Sequence, residues 1–161
     1  MEIRQATEKD IPLIEDILKE AEAWLESLGL GIWGDEQMTW EGLSKDYQIG
    51  DFYIASADGV PVGCMALVDY DPEFWPDIEK GRSLFMHRLA VRRFAAKTGV
   101  PSALIAFAKE MARRLGVNLR LDCMRDRAKL RRLYENHGFV CVGEKNMWNL
   151  FTTALYVWER K

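Results

Sequence analysis

Cysteine is scarce in this 161-residue chain, and the three present, Cys64, Cys123 and Cys141, are odd in number, widely spaced and set in apolar runs. That pattern excludes a disulfide framework and, with no CxxC pair, a zinc ribbon or finger; it predicts buried, reduced thiols in a cytoplasmic protein. Histidine is scarcer still. His87 and His137 lie fifty residues apart, so neither a metal-ligand spacing nor a Ser-His-Asp arrangement is legible, and no metal is expected. Long apolar runs are missing as well: MEIRQATEKD is charged from its second residue, and nowhere do 18 apolar residues stand together, which argues against a membrane helix or leader. Nor is positive charge in excess. The 22 basic and 25 acidic residues give −3, with a pI near 5.5, and supply no general field for nucleic acid or an anionic membrane.

What is present is a globular composition, 48% hydrophobic and 29% charged, in a length that suits one domain over residues 1–161. Tryptophan is over-represented, with six residues, of which Trp24, Trp33 and Trp40 fall within 17 positions.

Hydrophobic periodicity predicts a short strand over Ile3 to Thr7, then a helix with Ile11, Ile14, Leu18, Ala21, Leu25 and Leu28 on one face, Thr7 as N-cap and Gly29 as stop. The glycine-bearing stretch Gly29 to Gly34 reads as a loop, followed by a short helix within Glu36 to Lys45. Two apolar runs, Phe52 to Ala57 and Val62 to Val68, flank an Asp58-Gly59 turn and predict a hairpin. Asp69 to Arg82, with Pro72 and Pro76 and no period, is a long loop. Ser83 to Val91 is a strand, Pro101 to Leu115 a helix with Leu104, Phe107, Ala108, Met111 and Leu115 inward, and Leu119 to Cys123 a strand. A basic helix from Arg127 to Asn136 and a closing pair, Phe139 to Gly143 and Phe151 to Trp158, complete the chain. The early hairpin demands antiparallel pairing and the strand–helix–strand unit a parallel crossover. The expected fold is therefore mixed α/β: a mostly antiparallel central sheet of six to seven strands with a central parallel pair, and helices on both faces.

Chemistry concentrates after the strand at Leu84. A strand, a basic turn containing Gly99 and a helix aim backbone N–H groups and a helix dipole at one point, which suits a phosphate; the same pattern also describes an ordinary βα loop with solvated cations. Arg92, Arg93 and Lys97 add charge there. His87, on this strand, is titratable near neutrality and is equally readable as a structural histidine. Strand alternation puts it on the face of Phe85 and Leu89, opposite Met86 and Arg88. Tyr134 reads either as an acid or as part of the apolar face Leu130, Leu133, Tyr134. Trp24 reads as core on the first helix, and His137 as a helix C-cap. The basic helix LRRLYENH lacks a second helix at helix-turn-helix spacing, so no nucleic-acid partner is expected.

The segments HRLAVRR, SALIAFAKEMARRLGV, LRLDC and LRRLYENHGFVCVGE, in that order, resemble the GNAT superfamily of acetyl-CoA-dependent N-acetyltransferases, and the element order follows it from Glu2 to the end of the chain. The resemblance implies transfer of an acetyl group from acetyl-CoA to a primary amine of a small molecule or peptide by direct attack. It implies that Leu89, Ala90 and Val91 pair with the pantetheine arm and that Lys97, Thr98, Gly99, Val100, Ser102 and Ala103 hold the pyrophosphate. Tyr134 would then protonate the leaving thiolate, and His87 would be the base, with Asp122 and Glu73 as reserve bases. Trp33, Trp40 and Trp75 would wall an acceptor pocket suited to an apolar or cationic amine, with Asp35, Glu36, Asp69, Asp71 and Glu73 nearby.

The sequence departs from the family pattern in two places. Of the turn Q/R-x-x-G-x-G/A, occupied here by Ala96 to Pro101, only Gly99 is kept, and Pro101 has no N–H to give. Arg127 stands where an asparagine is common; it adds a phosphate contact or is a solvated helix residue. These departures motivate an alternative, a CoA-binding or protein-interaction module of the same fold without useful catalysis. The closing strands and exposed aromatics are compatible with a homodimer.

Overall fold

The computed structural model describes residues 1–161. Seven strands form one sheet in the order β1-β2-β3-β4-β5-β7-β6. Their bounds are β1 Glu2–Gln5, β2 Phe52–Ala57, β3 Val60–Val68, β4 Ser83–Val91, β5 Asn118–Met124, β6 Val140–Met147 and β7 Phe151–Trp158. The helices are α1 Ile11–Ser27, α2 Trp40–Leu43, α3 Val100–Leu115 and α4 Ala128–Asn136. Pairing is antiparallel apart from β4 with β5, the mixed arrangement that the sequence predicts. By residue contacts the chain divides into two compact units, Met1–Leu67 with Arg88–Leu104, and Val68–His87 with Ile105–Lys161.

In the first unit, the Asp58-Gly59 turn takes positive φ at both residues (50° and 79°), the handedness that matches strand twist, and joins β2 to β3 as expected. The start of α1 is more elaborate than a Thr7 cap. Residues Glu8–Asp10 form a 3-10 turn, and Asp10 accepts the Thr7 N–H at 2.8 Å while its two oxygens each take a 2.8 Å bond from the Arg4 guanidinium. Ile14, Ile17 and Leu18 of α1 pack on Phe52 and Ile54 of β2 and Cys64 and Ala66 of β3 to form the core. Trp24 is not part of it. It is 39% exposed, because the α1 stripe is completed by Leu25 on the turn's other side.

In the second unit, Trp75, Phe85 and Val157 form the centre of a core, with Phe74, Ile78 and Leu155 around it. Strand β6 extends to Met147, four residues past the expected Gly143, and the ladder with β7 slips between Cys141 and Gly143. It is an edge strand, which is why Cys141, unlike Cys64 and Cys123, is exposed rather than buried. Leu115, at the last position of α3, is also exposed; Ile105 and Ala112 take inward places instead. His137 occupies the α4 C-cap, its N–H bonding the carbonyls of Leu133 and Tyr134.

Candidate active site

In the second unit the ladder between β4 and β5 is short. It covers Ser83↔Asn118, Leu84↔Leu119 and Phe85↔Arg120 only, although β5 keeps pairing with β7 as far as Met124↔Thr153. The β4–β5 register runs no further than Phe85. Strands that part in this way leave backbone donors and acceptors that an amide-bearing ligand can complete as another strand would.

Where the ladder ends, three titratable side chains meet. Nε2 of His87 lies 3.1 Å from Oδ2 of Asp71, and with a carboxylate oxygen of Asp122 these atoms all fall within 4.8 Å of one another. Asp71 is buried; Oδ1 accepts the Phe74 N–H, while Oδ2 receives no well-directed hydrogen bond. Asp122 Oδ2 lies 3.3 Å from the buried Thr153 hydroxyl, which also donates to the Cys123 carbonyl at 2.9 Å. Two carboxylates thus stand beside one imidazole, close enough to orient its ring. The set is also the one group of side chains spaced to hold a cation. The reserve base Glu73 lies outside it, exposed in the loop after β3, with its carbonyl bonded by Lys145.

Tyr134 projects from α4, buried against Phe139 and Tyr156. Its hydroxyl makes no hydrogen bond to the protein. Burial, helped by the nearby Cys123 and Asp122 and opposed by Arg127, raises its pKa well above the ordinary phenol value, so the proton stays on at neutral pH. Burial likewise pushes the Cys123 thiol up to about 12, which makes it no competitor as a nucleophile. Arg127 is the residue before α4, and its Nη1 is buried without a partner. A buried unpaired guanidinium nitrogen is costly, and an anionic or polar ligand group would satisfy it.

In the first unit, β4 continues through Leu89, Ala90 and Val91 into the basic turn. Arg88 takes φ 54°, which interrupts the alternation expected along the strand. Ala90 is buried and backs onto Gly63 of β3, where a Cβ would come within 2.8 Å of the Ala90 carbonyl. In the turn, Lys97 and Gly99 both have positive φ (63° and 84°), and no backbone carbonyl takes the Gly99 or Val100 amide. That geometry makes a small anion cradle at the start of a 16-residue helix. Other expected contributors are already engaged: the Ala103 amide donates to the Gly99 carbonyl, and the Thr98 hydroxyl to the Ala95 carbonyl. Ser102 is exposed in the first turn of α3. Arg92 is not available to a ligand, since its Nη1 pairs with Asp16 at 2.7 Å and Glu20 at 3.3 Å. Arg93 stacks its guanidinium 3.7 Å above the Trp24 ring.

Trp33 and Trp40 also belong to this unit, both half-buried. Glu22, 1% exposed on α1, accepts the N–H groups of Ile32 and Trp33 at 2.7 and 2.8 Å and so fixes the glycine loop. The Trp40 N–H bonds Glu15, and its ring meets Phe52 edge-on. Trp75 is a core residue, 7% exposed and tilted against Phe85. It touches a cavity of about 430 Å³ shared with Phe74, Arg120 and Lys145. Nothing in the sequence marks Asp71 or Glu22 as partners, since one sits in an aperiodic loop and the other in a helix where an acidic residue is unremarkable.

A seven-stranded mixed sheet, antiparallel apart from one parallel pair and flanked by helices, is the frame of an acyltransferase. The chain belongs to the acetyltransferase (GNAT) family, whose model matches residues 14–139. No curated protein matches it by sequence. Among solved structures, a GNAT-family acetyltransferase from Listeria monocytogenes is 24% identical, with a TM-score of 0.80 over 98% of this chain and 94% of that one. N-acetylglutamate synthase from Neisseria gonorrhoeae, solved with coenzyme A and N-acetyl-glutamate, is 22% identical with a TM-score of 0.72 over 99% of this chain and 35% of its own. The yncA acetyltransferase of Salmonella typhimurium, with its cofactor acetyl-CoA, is 16% identical with a TM-score of 0.69 over 100% of this chain and 94% of its own. At these identities the likeness is one of fold. No helix is long and apolar enough to cross a membrane.

Proposed function

We propose that the protein is a cytoplasmic N-acetyltransferase, one domain over residues 1–161, that passes the acetyl group of acetyl-CoA to a primary amine by direct attack. The observation that carries this reading is the meeting of His87, Asp71 and Asp122 where the β4–β5 ladder stops. Acetyl-CoA supplies a thioester-bound acetyl group. Leu89, Ala90 and Val91 offer backbone to its pantetheine arm, and the amides of Gly99 and Val100, with Lys97 and the flanking Thr98, Ser102 and Ala103, form the pyrophosphate turn. Arg127 has an unspent donor for the same ligand.

The attacking amine must first lose a proton, because an ammonium has no lone pair. His87 takes it, and the carboxylates of Asp71 and Asp122 stabilise the imidazolium that results. The nitrogen–carbon bond forms as the carbon–sulfur bond breaks, and Tyr134 donates its proton to the departing sulfur. Trp33 and Trp40 line the acceptor side, with Trp75 contributing through its packing rather than as an open wall.

Calorimetric titration with acetyl-CoA, followed by thiol release assays over a panel of primary amines, tests the reading. Micromolar binding and amine-dependent release of CoA are expected. Failure to bind acetyl-CoA at millimolar concentration overturns it, and binding without release across the panel favours a CoA-binding module.

A further inference from the structure

The cation in the Trp33 cage is the protein's own. The Arg88 guanidinium sits 5.4 Å from the Trp33 ring centre and 5.7 Å from that of Tyr47, and its Nε donates to the Gln37 carbonyl at 3.2 Å. Each wall is itself braced. Glu22 ties the Trp33 amide to α1, and Tyr47 stands edge-on to the buried Phe52 at 5.4 Å. The backbone of Arg88 is held in the left-handed region at φ 54°, a conformation that persists for a non-glycine residue only where the surroundings impose it.

These contacts use one of the five N–H donors of the side chain. Nη1 and Nη2 bond to nothing in the protein, and no carboxylate pairs with them. The contrast with Arg4 and Arg92 in the same unit is direct, since both are spent on acidic side chains. An arginine fixed by two rings and a carbonyl, with its planar fork left over, matches bidentate recognition of a carboxylate. A cationic group entering the same cage would meet a like charge instead.

We propose that Arg88 is a specificity-determining residue that binds a carboxylate of the acceptor, so that the acceptor is an amino acid or another amine carrying a carboxylate. This rests on the acetyltransferase reading in assigning the anion to the acceptor: Arg88 is the next residue in the chain after the base His87, and its φ of 54° breaks the alternation that would set the two side chains on opposite faces.

The test reads binding. N-acetylglycine, N-acetylleucine and N-acetylphenylalanine, each against its carboxamide, are titrated by calorimetry and tryptophan fluorescence into wild type, Arg88→Met and Arg88→Lys. Wild type should bind at least one acid about 10- to 100-fold more tightly than its amide, the range expected of charge-assisted hydrogen bonds. Arg88→Met should abolish the preference, and Arg88→Lys, which keeps charge without the fork, should keep a fraction of it; the lysine variant also guards against a methionine variant that fails to fold. No preference for any acid in wild type, or a preference that survives in Arg88→Met, overturns the proposal. Acetyl-CoA binding in the same protein separates the two readings: if it binds and turns over while acids and amides are treated alike, Arg88 has no such role and the acetyltransferase reading stands.

Discussion

Oδ2 of Asp71 lies 3.1 Å from Nε2 of His87, although the two residues reach that point from different elements, an aperiodic loop and a strand. A buried carboxylate at this distance orients an imidazole ring. Asp71→Asn keeps the volume and removes the charge. Turnover should fall by roughly 10²-fold as the His87 ring loses the carboxylate that orients it. Acetyl-CoA affinity should be unchanged by calorimetry. Unaltered turnover would show that Asp71 only packs.

Tyr134→Phe should lower turnover by roughly 10²–10⁴ with acetyl-CoA binding retained, if a proton must reach the leaving sulfur. Burial raises the phenol pKa, so in wild type the acid form persists above its usual value. The rate should therefore show no alkaline loss attributable to this residue near pH ~10. Steady-state rates between neutral and alkaline pH check both points.

Gly63 faces the strand proposed to meet the pantetheine arm. A Cβ there would lie 2.8 Å from the Ala90 carbonyl and 3.0 Å from Val100 Cγ1. Gly63→Ala should push on both and cost about 1–3 kcal/mol of stability, read by urea unfolding. Acetyl-CoA affinity should drop as well, because Ala90 and Val100 sit at either side of the turn.

The Arg4–Asp10 pair sets an acid-stability window. The Arg4 guanidinium beside it holds the Asp10 carboxyl at about 2, below the usual carboxylate range. A depressed carboxylate contributes stability that is present above its unfolded value near ~3.9 and is lost as pH falls through the folded value. Wild type should lose this contribution between pH ~4 and ~2, whereas Asp10→Asn should be about 1 kcal/mol less stable at neutral pH and flatter across that window. Arg4 is half open to solvent, which keeps the figure small. Thermal melts against pH provide the measurement.

Strand and helix limits were legible wherever a period repeated, as in β4, whose bounds match the apolar run, or in the Asp58-Gly59 hairpin, whose turn chemistry is local. The site was legible only in part. His87 and Tyr134 lie on regular elements whose neighbours in sequence carry the family pattern, whereas Asp71 sits in a loop that only tertiary packing returns to His87. Charge misled in the turn after β4, because a sequence shows Arg92 but not the Asp16 and Glu20 carboxylates waiting on α1. Trp24 misled for a related reason: helical spacing places it beside the core face, and its real partner is Arg93, sixty-nine residues away.

The pairing of Arg92 and the stacking of Arg93 leave Lys97 as the one cation of that turn engaged by neither a carboxylate nor a ring. The capture of a pyrophosphate proposed for the turn then depends on fixed amides, which act at contact range, far more than on a long-range field. Its ionic-strength dependence should be shallow. Between ~0.1 M and ~1 M salt, where the screening length falls from about 10 Å to about 3 Å, acetyl-CoA affinity should decline by about tenfold or less. Association should likewise proceed at the rate of an unsteered encounter, so that crowding the solution with inert salt slows it little.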